Sequence, residues 1–458
     1  MSNAKPAWLA PALAFIPQWL AFQMRAAEQP GCAIAVAWKG EIVLEAAFGH
    51  ADLGAGELLT PRHRFRVASH SKSFTAAAIL KLREQGRLRL DDTAGHYVQG
   101  LHPEIAAATI AQLLSHTAGI VRDGPDSAYW AQRAPFLNEA ALRAELAAAP
   151  IIPANTRLKY SNHGFGLAGL IIEAITCEPW GVWMAREIVA AAGLTETTPD
   201  VPLPAGAPLA HGHGGKTLLG RRPVIPGDQS THALTAATGF VSTAAELAKF
   251  FTQLSPGAAT SFLSVASRRE MTRPQWKDAF SPIPRSYGLG IITDDLDGWS
   301  AFGHSGGFPG YITRTAVIPE RDLAISCLTN AVDGPSHIWL EGAVAILKRF
   351  QTEGPPASAL AEWNGLWWGL WGATQLLPVG DKVLLANPAL ANPVQKVPEL
   401  TLTGPDQARI AEAGAFASYG ETARLVRDAA GAITEVHIAG GRLLPEVVFA
   451  AEVEARYG

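Results

Sequence analysis

The chain has 458 residues, 37 Lys plus Arg against 41 Asp plus Glu, a net charge of −4, and 48% hydrophobic residues. That apolar content supplies a large buried core and excludes a disordered chain. The weakly acidic balance shows no basic stripe, so nothing draws it to a phosphate backbone and no nucleic acid partner is expected.

The first apolar stretch, WLAPALAFIPQWLAFQM (8–24), contains Pro11 and Pro17 and has only Lys5 ahead of it. A charged MRAAEQPG segment follows it, without a clean small-residue cleavage site, so it does not read as a signal peptide. It is also too short and too broken to span a membrane. The expectation is a packing helix in a cytoplasmic chain, or in a periplasmic or secreted one if an export signal has been trimmed ahead of the leading Ser-Asn-Ala. Cys32, Cys177 and Cys327 are too few for a disulfide framework, and Cys32 and Cys327 sit in strand-like runs as small apolar residues.

Cys32–Trp38, Lys39-Gly40 and Ile42–Ala47 predict a hairpin at the start of a sheet. Ser69–Gln85 predicts a helix stopped by Gly86. Residues 104–200 are Ala-rich and read as mostly helical, and 201–232 as irregular. Ser242–Leu254 predicts a helix with Thr243 as its cap and Glu246 three residues on. Tyr287–Thr293, Tyr311–Ile318 and Leu323–Thr329 predict strands, and Trp339–Phe350 a closing helix. After a small Pro/Gly/Ser connector, short strands follow at Lys382–Leu385, Glu399–Thr403, Ala423–Arg427 and Thr434–Ile438. The expected layout is therefore a domain over 1–352, a linker over 353–360 and a small β-barrel-like domain over 361–458. Trp363, Trp367, Trp368 and Trp371 read as packing residues of that tail rather than as a ligand platform.

Three short motifs carry chemistry. In Ser69-His70-Ser71-Lys72, spacing i to i+3 sets the hydroxyl and the amine on one helix face. A serine needs a base to become a nucleophile, and a lysine serves if burial lowers its pKa. The helix N-terminus favours the anion that forms there. Tyr160-Ser161-Asn162 follows an extended stretch and precedes a helix over Gly164–Ala174. Its phenol can pass a proton to or from the serine, and Asn162 can hold the lysine and a substrate amide. In His304-Ser305-Gly306-Gly307 the glycines let a substrate lie against the backbone, and a strand-edge N–H there could pair with that of Ser69 as an oxyanion hole. Taken singly, the second and third motifs also read as a turn and as a hairpin with a solvent-exposed histidine. His211-Gly-His213 has no partner carboxylate or cysteine cluster and reads as loop polarity, so no metal is expected. Ser115-His116 suggests a Ser-His pair.

In this order, SxxK, YxN and HxG resemble the serine β-lactamase and penicillin-binding protein superfamily, above all class C β-lactamases, D-alanyl-D-alanine carboxypeptidases, D-aminopeptidases and esterases. FRVASHSKSFTAAAILKL, TIAQLLSHTAGI, LKYSNHGFGLAGLIIEAIT, TGFVSTAAELAKF and GHSGGFPGY carry the likeness across most of residues 25–350. The resemblance implies an α+β fold: an antiparallel sheet flanked by helices plus a helical lobe, with the site between them. It implies that Ser69 is acylated, that Lys72 and Tyr160 move its proton, and that Asn162 orients Lys72 and substrate. His304, Ser305, Gly306 and Gly307 then stand where relatives carry K-T-G, with Gly307 giving the second oxyanion N–H. The histidine in place of that lysine removes a permanent positive charge. This favours an esterase, amidase or peptidase, with β-lactamase, acyl transferase or a non-catalytic binding protein as alternatives. No cofactor is implied, the expected partner is a small-molecule or peptide substrate, and a homodimer is an open assembly. EWNGLWWGLWGATQLLPVGDKVLLANP resembles the lipocalin-like barrels appended to D-aminopeptidases.

Overall fold

The computed structural model describes residues 4–458, and the chain divides into two compact units. One is Gln29–Leu340; the other joins the stretch up to Glu28 to Glu341–Gly458. The division thus falls earlier than the 353–360 connector. The reason lies in the N-terminal helix α1 (Leu9–Ala26), whose buried Phe15, Ile16, Trp19, Leu20, Gln23 and Met24 recur at helical spacing. Its Trp19 indole donates to the Leu390 carbonyl at 3.2 Å and its Gln23 amide to that of Pro388 at 2.6 Å.

The unit Gln29–Leu340 is built on a nine-stranded sheet. Its strands are β1 (Gly31–Trp38), β2 (Glu41–Asp52), β3 (Glu57–Leu58), β4 (Trp276–Lys277), β5 (Arg285–Tyr287), β6 (Ile292–Leu296), β7 (Trp299–Phe308), β8 (Tyr311–Ile318) and β9 (Leu323–Thr329). The order is β3-β2-β1-β9-β8-β7-β6-β5-β4, and the paired neighbours run antiparallel. β1 and β9 are buried along their whole length, which is why GCAIAVAW and LAISCLT read as apolar runs rather than alternations. The β1–β2 turn has positive φ at both Lys39 and Gly40, as a tight hairpin requires.

Three helices hold the site. Helix α2 (Ser71–Glu84) is buried on nearly every face, the mark of a central helix. Its buried hydroxyls are accordingly bonded inward: Ser73 Oγ donates to the Gly290 carbonyl at 2.7 Å and Thr75 Oγ1 to that of Ala236 at 2.7 Å. Phe74 stacks on Phe250 of α4 (Ala244–Gln253), with centroids 3.6 Å apart, and α4 in turn packs on β1 and β9. Helix α3 (Asn162–Thr176) starts at Ser161, whose Oγ accepts the Gly164 N–H at 2.9 Å.

Several expected elements differ. Residues 104–200 hold only short helices besides α3, and 115–138 is mostly loop. Ala content raised the helical reading, but Gly119, Pro125 and Pro135 interrupt the chain. The run Tyr287–Thr293 splits into β5 and β6, because the backbone at Gly290 turns to meet α2. Thr243 does cap α4, accepting the Glu246 N–H at 3.3 Å. The Glu246 carboxylate, however, accepts the N–H groups of Thr195 and Glu196 at 2.6 and 2.9 Å, so it ties in a distant loop instead of completing a capping box. His304–Gly307 lies inside β7 and is not a turn.

In the other unit, eight antiparallel strands run in chain order from Gly365–Gly369 to Gly441–Leu443. Trp368 and Leu444 exchange two backbone bonds of 2.8 Å, joining the first strand to the end of the last, so the sheet is a nearly closed barrel. Trp363 and Trp367 fill its core, while Trp371 is fully exposed at a hairpin tip. Helix α5 (Ser336–Glu353) precedes the barrel and α6 (Glu446–Tyr457) closes the chain. Among the described residues no single helix is long and apolar enough to cross a membrane.

Gly290 has φ of +66°, and a Cβ there would stand 2.6 Å from the Ala76 Cβ and 2.7 Å from the Lys72 carbonyl oxygen. Gly290→Ala should therefore destabilise by about 2–4 kcal/mol, combining left-handed strain with overpacking. Urea unfolding of the purified variant checks it.

Candidate active site

Ser69 lies in a 3-10 turn, Ala68–His70, one step before α2 rather than within it. Ala68 holds a positive φ of 48°, a conformation a non-glycine residue rarely adopts. The i to i+3 relation survives, and the Lys72 Nζ stands 3.1 Å from Ser69 Oγ. From the other side the Tyr160 hydroxyl donates to Ser69 Oγ at 2.8 Å. The lysine and the tyrosine singled out in the sequence thus converge on one oxygen.

The Lys72 side chain is fully buried. It also donates to Asn162 Oδ1 at 2.7 Å and to the Ala237 carbonyl at 2.9 Å. Asn162 is held in that orientation because its Nδ2 donates to Asp123 Oδ1 at 2.6 Å. Asp123 accepts a second bond from the Trp130 indole at 2.9 Å and pairs with Arg122 Nε at 3.1 Å. Burial pushes the Lys72 amine well below its usual value; the Asp123 charge opposes this and the Arg122 charge adds to it. A neutral amine has two N–H groups and one lone pair. Asn162 and Ala237 take the two donors, which leaves the lone pair for the Ser69 proton.

Tyr160 shifts the opposite way. Burial raises its phenol, partly offset by its bond to Ser69 and by Arg122, so the hydroxyl keeps its proton and donates it. Its ring lies 4.1 Å from the ring of His116, and Lys72 Nζ sits 4.7 Å from its centroid.

The third motif divides at its first glycine. His304, Ser305 and Gly307 line the cleft with Ser69, whereas Gly306 is turned away from it. A Cβ on Gly306 would stand 2.2 Å from the Val67 carbonyl oxygen, so this glycine lets β7 close against the turn that carries Ser69 rather than touching substrate. Pairing of β7 with β6 ends at Gly303, which leaves the edge beyond it unpaired toward the cleft. His304 is buried, with one ring nitrogen 2.8 Å from the Tyr287 hydroxyl and the other held by the Ser305 backbone. Burial, reinforced by His70 and Lys72, lowers its pKa, so it carries no charge at neutral pH. It is not the solvent-exposed histidine of the turn reading.

The cleft measures about 720 Å³, and Arg122, Trp130, Leu158, Asp278, Arg285 and Ile292 complete its walls. Sequence reasoning missed Asp123, Trp130 and Tyr287. The first two lie in the 115–138 loop, where no spacing rule marks them. Among the described residues no group of three or more His, Cys, Asp or Glu side chains gathers as a metal site. His211 binds Asp52 at 2.8 Å, and His213 bridges the Asn330 carbonyl and the Leu53 N–H, so both are tied into the fold.

A serine flanked by a buried lysine and a tyrosine, set between an antiparallel sheet and a helical lobe, defines a class of serine-site α+β proteins. The family model described as Beta-lactamase matches residues 18–345. The chain belongs to this family. It is 28% identical over 352 residues to Penicillin-binding protein 4 of Amycolatopsis lactamdurans, covering 72% of this chain and 89% of that one. The octameric penicillin-binding protein homologue from Pyrococcus abyssi superposes with a TM-score of 0.66 at 22% identity, over 94% of this chain and 100% of that chain. A D-stereospecific amidohydrolase from Streptomyces sp. gives a TM-score of 0.60 at 26% identity, over 72% of this chain and 98% of that chain.

The lowered Lys72 pKa has a thermodynamic signature. Between the folded value and 10.5 the unfolded chain holds a proton on Lys72 that the folded chain does not. Unfolding then takes up a proton, so stability grows as pH rises through that window and is lost as pH falls. The stability of the wild type relative to Lys72→Met should therefore increase between pH 7 and pH 10, which urea titrations at both pH values check.

Proposed function

We propose that the chain is a serine hydrolase that works through an acyl-enzyme on a small ester, amide or peptide. The observation that carries this is the single oxygen, Ser69 Oγ, held 3.1 Å from a buried lysine and 2.8 Å from a protonated tyrosine. In the first half-reaction Lys72 takes the Ser69 proton as Oγ bonds to the substrate carbonyl carbon. The backbone N–H groups of Ser69 and Gly307 receive the negative oxygen. Tyr160 gives its proton to the leaving group as the carbonyl–heteroatom bond breaks, and Lys72 restores that proton to the phenol. Water repeats the sequence on the acyl-enzyme and releases the acid. Lys72 is the base in this scheme, because the phenol donates to Ser69 in the resting site.

The substrate class follows from what faces the cleft. A neutral His304, bonded to Tyr287, places no fixed positive charge beside Ser305. The cations that do line the cleft, Arg122 and Arg285, are each paired with an aspartate, so esters and amides are favoured over substrates recognised by a carboxylate next to the scissile bond, such as β-lactams. The likeness to a D-stereospecific amidohydrolase makes D-amino acid amides the first amides to try. The barrel is proposed as an accessory domain.

Wild type should hydrolyse a short-chain p-nitrophenyl ester, and Ser69→Ala should lose at least ~10³-fold in kcat, as nucleophile deletions do elsewhere. Equal turnover in both would move the chemistry away from Ser69.

A further inference from the structure

We propose that His116 is a positioning residue that holds the Tyr160 phenol over Ser69; this rests on the hydrolase reading above. His116 follows the short helix Ile110–Leu114 and takes a left-handed φ of 58°. Its carbonyl accepts the Lys159 N–H at 2.7 Å. Its ring nitrogen Nδ1 accepts the Ser161 N–H at 3.1 Å. Between those two bonds, the Tyr160 ring lies on the imidazole with centroids 4.1 Å apart. One residue therefore grips 159, 160 and 161 in succession, and Asn162, which orients Lys72, comes next.

The arrangement is costly, which argues against a filler role. An Nδ1 that accepts puts the ring proton on Nε2, and that nitrogen is buried with no hydrogen-bond partner among the described residues. A positive φ on a non-glycine residue adds strain. Such costs persist where the surroundings over-determine a conformation, and they concentrate at functional sites. The loop itself is secured without the imidazole: the Thr117 carbonyl accepts the Asn155 N–H at 2.8 Å and the Gly119 carbonyl that of Ile151 at 2.9 Å. What the side chain adds is its bond to Ser161 and its ring contacts, closest with Tyr160 and then with Tyr287 at 4.7 Å and Phe165 at 5.1 Å between centroids. Burial, with help from Lys72 and His304, lowers the imidazole pKa and keeps Nδ1 free to accept at neutral pH.

Two variants separate the roles, and both residue types tolerate left-handed φ. His116→Asn keeps an acceptor where Nδ1 stands, whereas His116→Gly removes acceptor and ring. With folded sites counted by a fluorophosphonate, kcat on the p-nitrophenyl ester should fall at least tenfold in His116→Gly while KM changes less than threefold. His116→Asn should stay within threefold of wild type in kcat. A merely structural role would lower the melting temperature of His116→Gly and leave kcat per site unchanged, and that result overturns the proposal. Should His116→Gly not fold, His116→Asn decides alone: a more than tenfold loss per folded site overturns it, and retention supports it. If the wild type neither turns over nor labels at Ser69, the hydrolase reading has failed. Amide exchange over residues 158–164 then decides: faster exchange in His116→Gly than in wild type and His116→Asn supports the positioning role, and equal exchange refutes it.

Discussion

The amine of Lys72 is enclosed by protein, and no carboxylate touches it. Its contacts are a serine hydroxyl, an amide oxygen and a backbone carbonyl, all uncharged. Taking an ammonium out of water costs several kcal/mol, and nothing here neutralises it directly. The nearest acid, Asp123, acts through Asn162, and its pull is opposed by the adjacent Arg122. The two act with opposite signs, and burial outweighs both. Ser69 consequently faces an amine that burial biases toward its neutral form.

Much of the fold serves that enclosure. α2 is buried on almost every side, and its hydroxyls bind the segment around Ala236 and the turn at Gly290. That segment brings the Ala237 carbonyl to Lys72. The N-terminus of α3 brings Asn162, and the loop after Gly119 brings Asp123 and Trp130. On the sheet side, β7 approaches so closely that only glycine fits at 306, against the carbonyl of Val67. Tyr160 completes the enclosure, and the burial that lowers the amine raises its phenol. One low-dielectric pocket thus moves the two pKa values apart, as the proposed base and acid roles require.

The sequence made part of this legible. SxxK at the head of an apolar helix, Tyr160 and Asn162 before a second helix, and strands Tyr311–Ile318 and Leu323–Thr329 all follow from local pattern, and the structure has these elements. The split of Tyr287–Thr293 does not, because the pressure on Gly290 comes from a helix more than 200 residues away in sequence. Neither do Asp123, Trp130 and His116. Their chemistry depends on a loop whose path is set by long-range contacts, and no periodicity runs through it. The difference between Gly306 and Gly307 is within reach of the strand-edge reading of HSGG, because alternation along a strand places the two glycines on opposite faces. The Trp-rich tail was sound as packing for Trp363 and Trp367 but not for Trp371, whose hairpin-tip position no composition rule signals.

The direct test of a neutral Lys72 is its titration. Protein labelled with 13C at lysine Cε, compared with Lys72→Met to assign the signal, reports the charge on that amine as pH is varied. A Lys72 resonance that titrates well below 10.5 is the result burial requires. A resonance that titrates at or above 10.5 would mean that the amine stays charged in its enclosure, and the base assigned to Ser69 would have to be sought elsewhere.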